Sequence, residues 1–169
     1  MLNYKTVCIT AFMLALVGCQ KHTKPPSYVE VPPTQVSPSV EYINLTADTL
    51  FKFNGSSAKD LLPAGREKLD EVARGLQSRY VSIDKIELVG HTDRLGKVDY
   101  NYNLGMKRAK TVYDYLYSRG VPANIMSYAS AGEKQPVTDG CMNVAPRAKL
   151  IQCLQPDRRV SIAIQGMKR

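Results

Sequence analysis

Tryptophan is absent from this 169-residue chain, and histidine is scarce, with only His22 and His91. The missing tryptophan excludes nothing, because 44% of the residues are apolar and that suffices for a core. The shortage of histidine excludes more. A catalytic zinc centre takes three protein ligands, usually rich in histidine, and the globular part of the chain has His91 alone. No C-x-x-C and no G-x-S-x-G occurs, so neither a cysteine metal site nor a serine nucleophile elbow has its signature. Glu87 and Glu133 could partner His91 and Asp93 as carboxylates, but nothing in the sequence motivates a glycosidase pair. His91 reads as a packed or hydrogen-bonded residue at a strand end. The prediction is a binding protein rather than an enzyme, with no cofactor. A basic cluster is also lacking: the 23 Lys and Arg give a net charge of +8, yet no run of five occurs and no groove-entering motif accompanies them. That pattern describes a basic surface and argues against a nucleic-acid partner.

No apolar run is long enough for a comfortable membrane span. The chain opens instead with a shorter one, Val7–Val17, preceded by Lys5 as the only charged side chain in the first twenty residues. This is the outline of a secretory signal. It ends in Leu16-Val-Gly-Cys19, which resembles the lipobox of bacterial lipoproteins. The resemblance implies that residues 1–18 are removed, Cys8 with them, and that Cys19 is acylated. Each buried CH₂ of an acyl chain contributes about 0.8 kcal/mol, so lasting attachment takes more than one chain. Gln20 in place of Asp implies, by the same resemblance, sorting to the outer membrane of a Gram-negative bacterium, with the rest of the chain facing the periplasm. Residues 19–44 then read as a tether, because five of the ten prolines (Pro25, Pro26, Pro32, Pro33 and Pro38) fall there. An extended segment of that kind reaches about 60 Å.

Residues 45–167 read as one domain. In Thr49-Leu-Phe-Lys-Phe53 the alternation predicts a strand with Phe51 and Phe53 on its buried face. Leu62–Leu76 is predicted helical, with Pro63 in the first turn and Leu69, Val72, Ala73 and Leu76 as its inward stripe. A strand at Ile83–Val89 follows, then a helix from Asp99 to Arg119 closed by Gly120. Met126–Ala131 is a short strand, and Arg159–Ile164 a cleaner one, with Val160, Ile162 and Ile164 on one face. Strands and helices in this alternation predict an α/β two-layer sandwich, a small mixed sheet with helices on one face. Cys141 and Cys153 stand twelve residues apart in a chain directed out of the cytoplasm. A structural disulfide is therefore the default, and two free thiols the alternative.

The candidate site centres on Val89-Gly-His-Thr-Asp-Arg-Leu-Gly96 and the helix after it. Asp93 sits on the Gly-bounded turn. Arg108 falls at the margin of the helix's apolar face, and Asn101, two turns earlier, lies within about 20° of it. A cation turned toward a core margin needs an anion. The residues alone leave two readings open: a permanent Asp93–Arg108 ion pair, or two ends of a clamp for a small zwitterion.

Gly90-His-Thr-Asp93, Gly96, Tyr100-Asn101, Leu104, Arg108-Ala109, Val112 and Tyr115-Leu116 closely resemble the OmpA-like peptidoglycan-binding domain. So do Ala47-Asp48-Thr49-Leu50-Phe51, Gly120-Val-Pro122, Gly132-Glu133, Pro136-Val137, Pro156-Asp-Arg-Arg-Val160 and the Cys141/Cys153 spacing. The resemblance covers residues 45–167 and implies peptidoglycan as partner, gripped at the meso-diaminopimelate of its stem peptide. Arg108 would meet the ligand's carboxylate and Asp93 its ammonium. Thr92, Asn101 and Arg158 would be supporting contacts, with backbone from Phe53-Asn54. Outer-membrane lipid, through Cys19, and envelope proteins would be the other partners. The implied role is a tether between outer membrane and wall, the alternative a docking module or secretion-system accessory on the same fold. Two positions depart from the family pattern. Gly105 replaces its usual serine, which predicts a looser helical turn, since glycine costs about 1 kcal/mol relative to alanine, and a lost hydroxyl contact. Phe-Lys-Phe-Asn54 stands where the family often carries acids.

Overall fold

Residues 39–169 are described by a computed structural model. The signal segment 1–18, Cys19 and tether residues 20–38 lie outside the described residues. The strands are β1 (Ser39–Thr46), β2 (Tyr80–His91), β3 (Met126–Gly132) and β4 (Arg159–Lys168), in the sheet order β1-β4-β2-β3. β4 runs antiparallel to both neighbours, while β2 and β3 are parallel. The helices are α1 (Ala47–Leu50), α2 (Pro63–Arg79), α3 (Val98–Ser118) and α4 (Arg147–Cys153). A parallel pair needs a crossover, and α3 supplies it.

Alternation decides which face of the sheet is covered. Val160, Ile162 and Ile164 of β4 and Ile86 and Leu88 of β2 are fully buried and pack with Leu69, Val72, Ala73 and Leu76 of α2 and Val112 and Leu116 of α3. Each Val, Leu or Ile among them contributes about 1.5–3 kcal/mol on burial. Residues pointing the other way, such as Glu87 and Ser161, are exposed or half-buried. The predicted two-layer architecture is the observed one. Asp99 in the first turn of α3 complements the helix dipole, and Gly120, at φ +87, ends the helix region.

The first strand differs from expectation. Residues Thr49–Phe53 are not a strand. The first strand is β1, at one edge of the sheet, which begins within the stretch read as tether and carries its own alternation, with Leu45 buried and Ile43 packed on the core. Leu50 and Phe51 are both buried, so the segment does not alternate. Phe51 forms only an isolated antiparallel bridge with Leu61. The chain then turns: Asn54 adopts φ +58, and the Gly55 amide donates to the Lys52 carbonyl at 2.8 Å. Phe53 is thrown outward and is fully exposed.

Gly105 also behaves differently from the looser turn predicted for it. It lies where α3 touches β2. A Cβ on Gly105 would stand 2.4 Å from Ser130 Oγ and 2.8 Å from the Gly90 carbonyl oxygen, and a Cβ on Gly90 would stand 1.9 Å from the Gly105 oxygen. The two glycines let helix and strand backbones approach directly, so this turn is tightly packed.

Cys141 and Cys153 are joined by a disulfide, which closes a loop with a separation of 12 residues. Bridges of that span contribute about 3 kcal/mol.

Candidate functional site

The C-terminal ends of β1, β2 and β3 and the N-terminal end of β4 lie together, since Thr46 and His91 both pair with Arg159 and His91 pairs with Gly132. The candidate residues converge there. The Thr92 amide donates to the Gly132 carbonyl at 2.9 Å. Asp93 Oδ1 accepts the Leu95 amide at 2.9 Å, a side-chain turn of the kind aspartate favours. Gly96, at φ +120, leads into α3.

Arg158 lies at the centre of an acidic pair. Its Nη1 donates to Asp93 Oδ2 at 2.9 Å and to the Ile151 carbonyl at 3.1 Å. Its Nε and Nη2 grip Asp48 at 3.1 and 2.7 Å, a two-pronged fit suited to guanidinium. The Asp48 hydrogen bond is the main reason its pKa is raised.

Arg108 is 4% exposed and takes part in no ion pair among the described residues. Its Nε donates to the Gly55 carbonyl at 3.0 Å, and its guanidinium carbon lies 5.7 Å from the centre of the Phe51 ring, where the ring's quadrupole attracts a cation. Burial pulls its pKa below the ordinary value. Arg158 acts in the same direction, while Asp48, Tyr100 and Asp93 oppose it. The permanent Asp93–Arg108 ion pair, one of the two readings open on the residues alone, is therefore corrected. Asp93's partner is Arg158, and among the described residues Arg108 is left as a desolvated cation without an anion.

The chemistry does not coincide with the open cleft on α3. A cleft of about 710 Å³ lies between residues 56–61 and the distal part of α3, lined by Arg66, Lys107, Lys110 and Arg119 among others. Lys110 is taken by Asp114 and Arg119 by Asp70. That cleft holds no buried unpaired charge, and the Arg108 site does.

A family model described as the OmpA family matches residues 50–149. The chain belongs to the OmpA family. It is 43% identical over 129 residues to outer membrane protein A of Salmonella typhi, across 76% of this chain and 36% of that protein. It thus spans about a third of that relative's length. The fold is shared with the peptidoglycan-associated lipoprotein of Burkholderia pseudomallei, at a TM-score of 0.53 and 26% identity, covering 72% of this chain and 89% of that one. It is also shared with the periplasmic domain of Helicobacter pylori MotB, at a TM-score of 0.59 and 21% identity, covering 77% and 75%.

The remaining expected residues divide by what they touch in this OmpA-family domain. Asn101 does not face outward. It is 2% exposed, and its Nδ2 donates to the Asp93 carbonyl at 3.2 Å and to Glu133 Oε2 at 2.6 Å. Asn101 thus positions the turn. Asn101→Ala would leave the Asp93 carbonyl and Glu133 without this donor. It is expected to cost about 1–3 kcal/mol, read as a lower urea midpoint. Thr92 is buried, and its Oγ1 has no partner among the described residues. Asn54 is exposed, and its Oδ1 accepts the Tyr100 hydroxyl. Asp48, Gly55 and Glu133 belong to the site although the sequence did not single them out as binding residues. The Ala47-Asp48 motif was a signal for the first. Asp157, 1% exposed, anchors the neighbouring loop by accepting the Val137 and Thr138 amides at 2.7 and 2.9 Å.

His91 is packed as the sequence suggested, 3% exposed, with Nε2 2.9 Å from Ser161 Oγ. Burial, aided by Arg159 and opposed by Asp157, pulls its pKa down from 6.5 to about 4. The unfolded chain takes this proton near pH 6.5, and the native state not until about pH 4. Stability therefore falls as pH drops through that window. His91→Gln is expected to flatten the urea-midpoint profile between pH 6.5 and 4 relative to the wild type. Asp60, whose pKa is lowered from 3.8 to about 2, acts mainly below that window.

Proposed function

We propose that this domain binds peptidoglycan non-covalently, gripping the diaminopimelate of the stem peptide, and that acylated Cys19 makes it a tether between outer membrane and wall. The observation that carries this is Arg108, a buried cation without an anion among the described residues, on the same sheet end as the Asp93 carboxylate. A ligand carrying a carboxylate and an ammonium on one carbon supplies what each lacks. The carboxylate meets the Arg108 fork. The ammonium joins Asp93, whose two oxygens offer about four acceptor sites and use two, for the Leu95 amide and Arg158. The charges of Asp48, Asp93, Arg108 and Arg158 balance, and a zwitterion adds no net charge to them. Support comes also from the fold shared with a protein called a peptidoglycan-associated lipoprotein. The activity is binding, without catalysis.

The test is co-sedimentation of the compact unit Gln35–Arg169 with purified sacculi, competed with free meso-diaminopimelate. Retention that the free amino acid displaces is expected. Failure of the folded unit to sediment would make the fold a protein-docking module instead.

A further inference from the structure

The ring of Phe53 stands clear of the protein, 101% exposed. Single exposed apolar side chains are common, but the loop holding this one is pinned. Asn54 beside it adopts φ +58, which few residues other than glycine do, and its Oδ1 accepts the Tyr100 hydroxyl of α3. The Gly55 carbonyl accepts Arg108 Nε at 3.0 Å, and the Ser56 carbonyl accepts Thr111 Oγ1 at 2.6 Å. Three consecutive residues after Phe53 are thus tied to α3, one of them to the cation of the clamp itself. Tyr100, 48% exposed, and Val98, 54% exposed, occupy the first turn of that helix. Exposed aromatic surface on a pinned loop beside a charged cluster matches the usual make-up of a ligand site, in which a few polar groups orient the ligand and apolar surface covers it.

We propose that Phe53 and Tyr100 form a second subsite next to the Arg108–Asp93 clamp, one that stacks on the face of a sugar ring carried by the same wall fragment. The proposal rests on the peptidoglycan reading. A stem peptide is attached to a glycan, and pyranose rings carry hydroxyls at the edge and C–H bonds on the faces. An aromatic ring covers such a face without needing a polar partner. Because the loop is already pinned, ordering it on binding costs little entropy. Alanine methyls of the peptide offer the same C–H chemistry, and the test separates the two sources.

Calorimetry on Gln35–Arg169 would use three ligands: free meso-diaminopimelate, a sugar-free tetrapeptide containing it, and the disaccharide-tetrapeptide. Phe53→Ala is expected to weaken the disaccharide-tetrapeptide about fivefold and to leave the other two unchanged, with Phe53→Tyr restoring the loss. Equal weakening of both peptides would assign the contact to the peptide and overturn the sugar subsite. So would a Phe53→Ala variant that binds all three ligands like the wild type while Arg108→Ala binds none. If the wild type binds none, or Arg108→Ala binds as well as the wild type, the clamp reading itself falls and the subsite with it.

Discussion

Arg108→Met is expected to lower sacculus binding by about two orders of magnitude or more while leaving the domain as stable as the wild type or more so. The binding loss follows from removing the charged partner of a desolvated carboxylate, which costs about 2–5 kcal/mol. The stability expectation runs the other way. Among the described residues Arg108 is a 4% exposed cation with one hydrogen bond, to the Gly55 carbonyl, and no carboxylate partner. Replacing a buried charge with an apolar side chain of similar length is often neutral, or stabilising by about 1–4 kcal/mol. Methionine also keeps an unbranched stem to pack near Phe51. Urea unfolding and sacculus co-sedimentation read the two effects separately. A purely structural Arg108 predicts a fall in stability, with binding at low temperature retained by the folded fraction. Asp93→Ala is a less clean probe, because it also removes the acceptor of the Leu95 amide and the partner of Arg158. Arg108→Lys is expected to bind poorly as well, since an ammonium cannot present the planar fork that matches a carboxylate.

Gly90→Ala should cost about 3 kcal/mol or more, since overpacking a close contact takes 1–3 kcal/mol and more when backbone must move. The new methyl would lie 1.9 Å from the Gly105 carbonyl oxygen, and that atom cannot rotate away. The helix has to lift from the strand, carrying Asn101 and Arg108 with it. A thermal midpoint lower by roughly 10 °C or more is expected, with weaker wall binding even where the variant is folded. Gly105→Ser is expected to be milder, because the atom met at 2.4 Å is a side-chain hydroxyl, Ser130 Oγ, which can rotate at the cost of its bond from the Gly132 amide, but the Gly90 carbonyl at 2.8 Å still has to yield. A Gly90→Ala variant as stable as the wild type would show that the two backbones do not make this contact in solution.

Much of this was legible in the sequence where one local signal dominated. Strand β4 was readable because every second residue is aliphatic, and α2 because its apolar residues recur at helical spacing. His91 could be placed because a lone histidine after an alternating strand has few alternatives. The first strand was misread where two signals compete. Phe51 and Phe53 alternate as in a strand, but the backbone turns at Asn54, and proline in the preceding stretch obscured the weaker alternation of Ile43 and Leu45. Gly105 was misjudged because helix propensity is a local quantity, whereas the need for glycine there comes from Gly90, distant in sequence.

The site divides in the same way. Composition and spacing alone determined that an acid, Asp93, follows one strand, that a base, Arg108, lies at the margin of the next helix's apolar face, and that the core face of each long element runs where it does. These depend on residue type and short-range period. Which carboxylate pairs with which guanidinium was decided only in the fold. Asp48 on α1 and Arg158 before β4 stand 110 residues apart, and they meet because β1 and β4 are neighbours in the sheet. Once Arg158 holds both Asp48 and Asp93, Arg108 has no anion left, and a pairing over such separation leaves no trace in local sequence pattern.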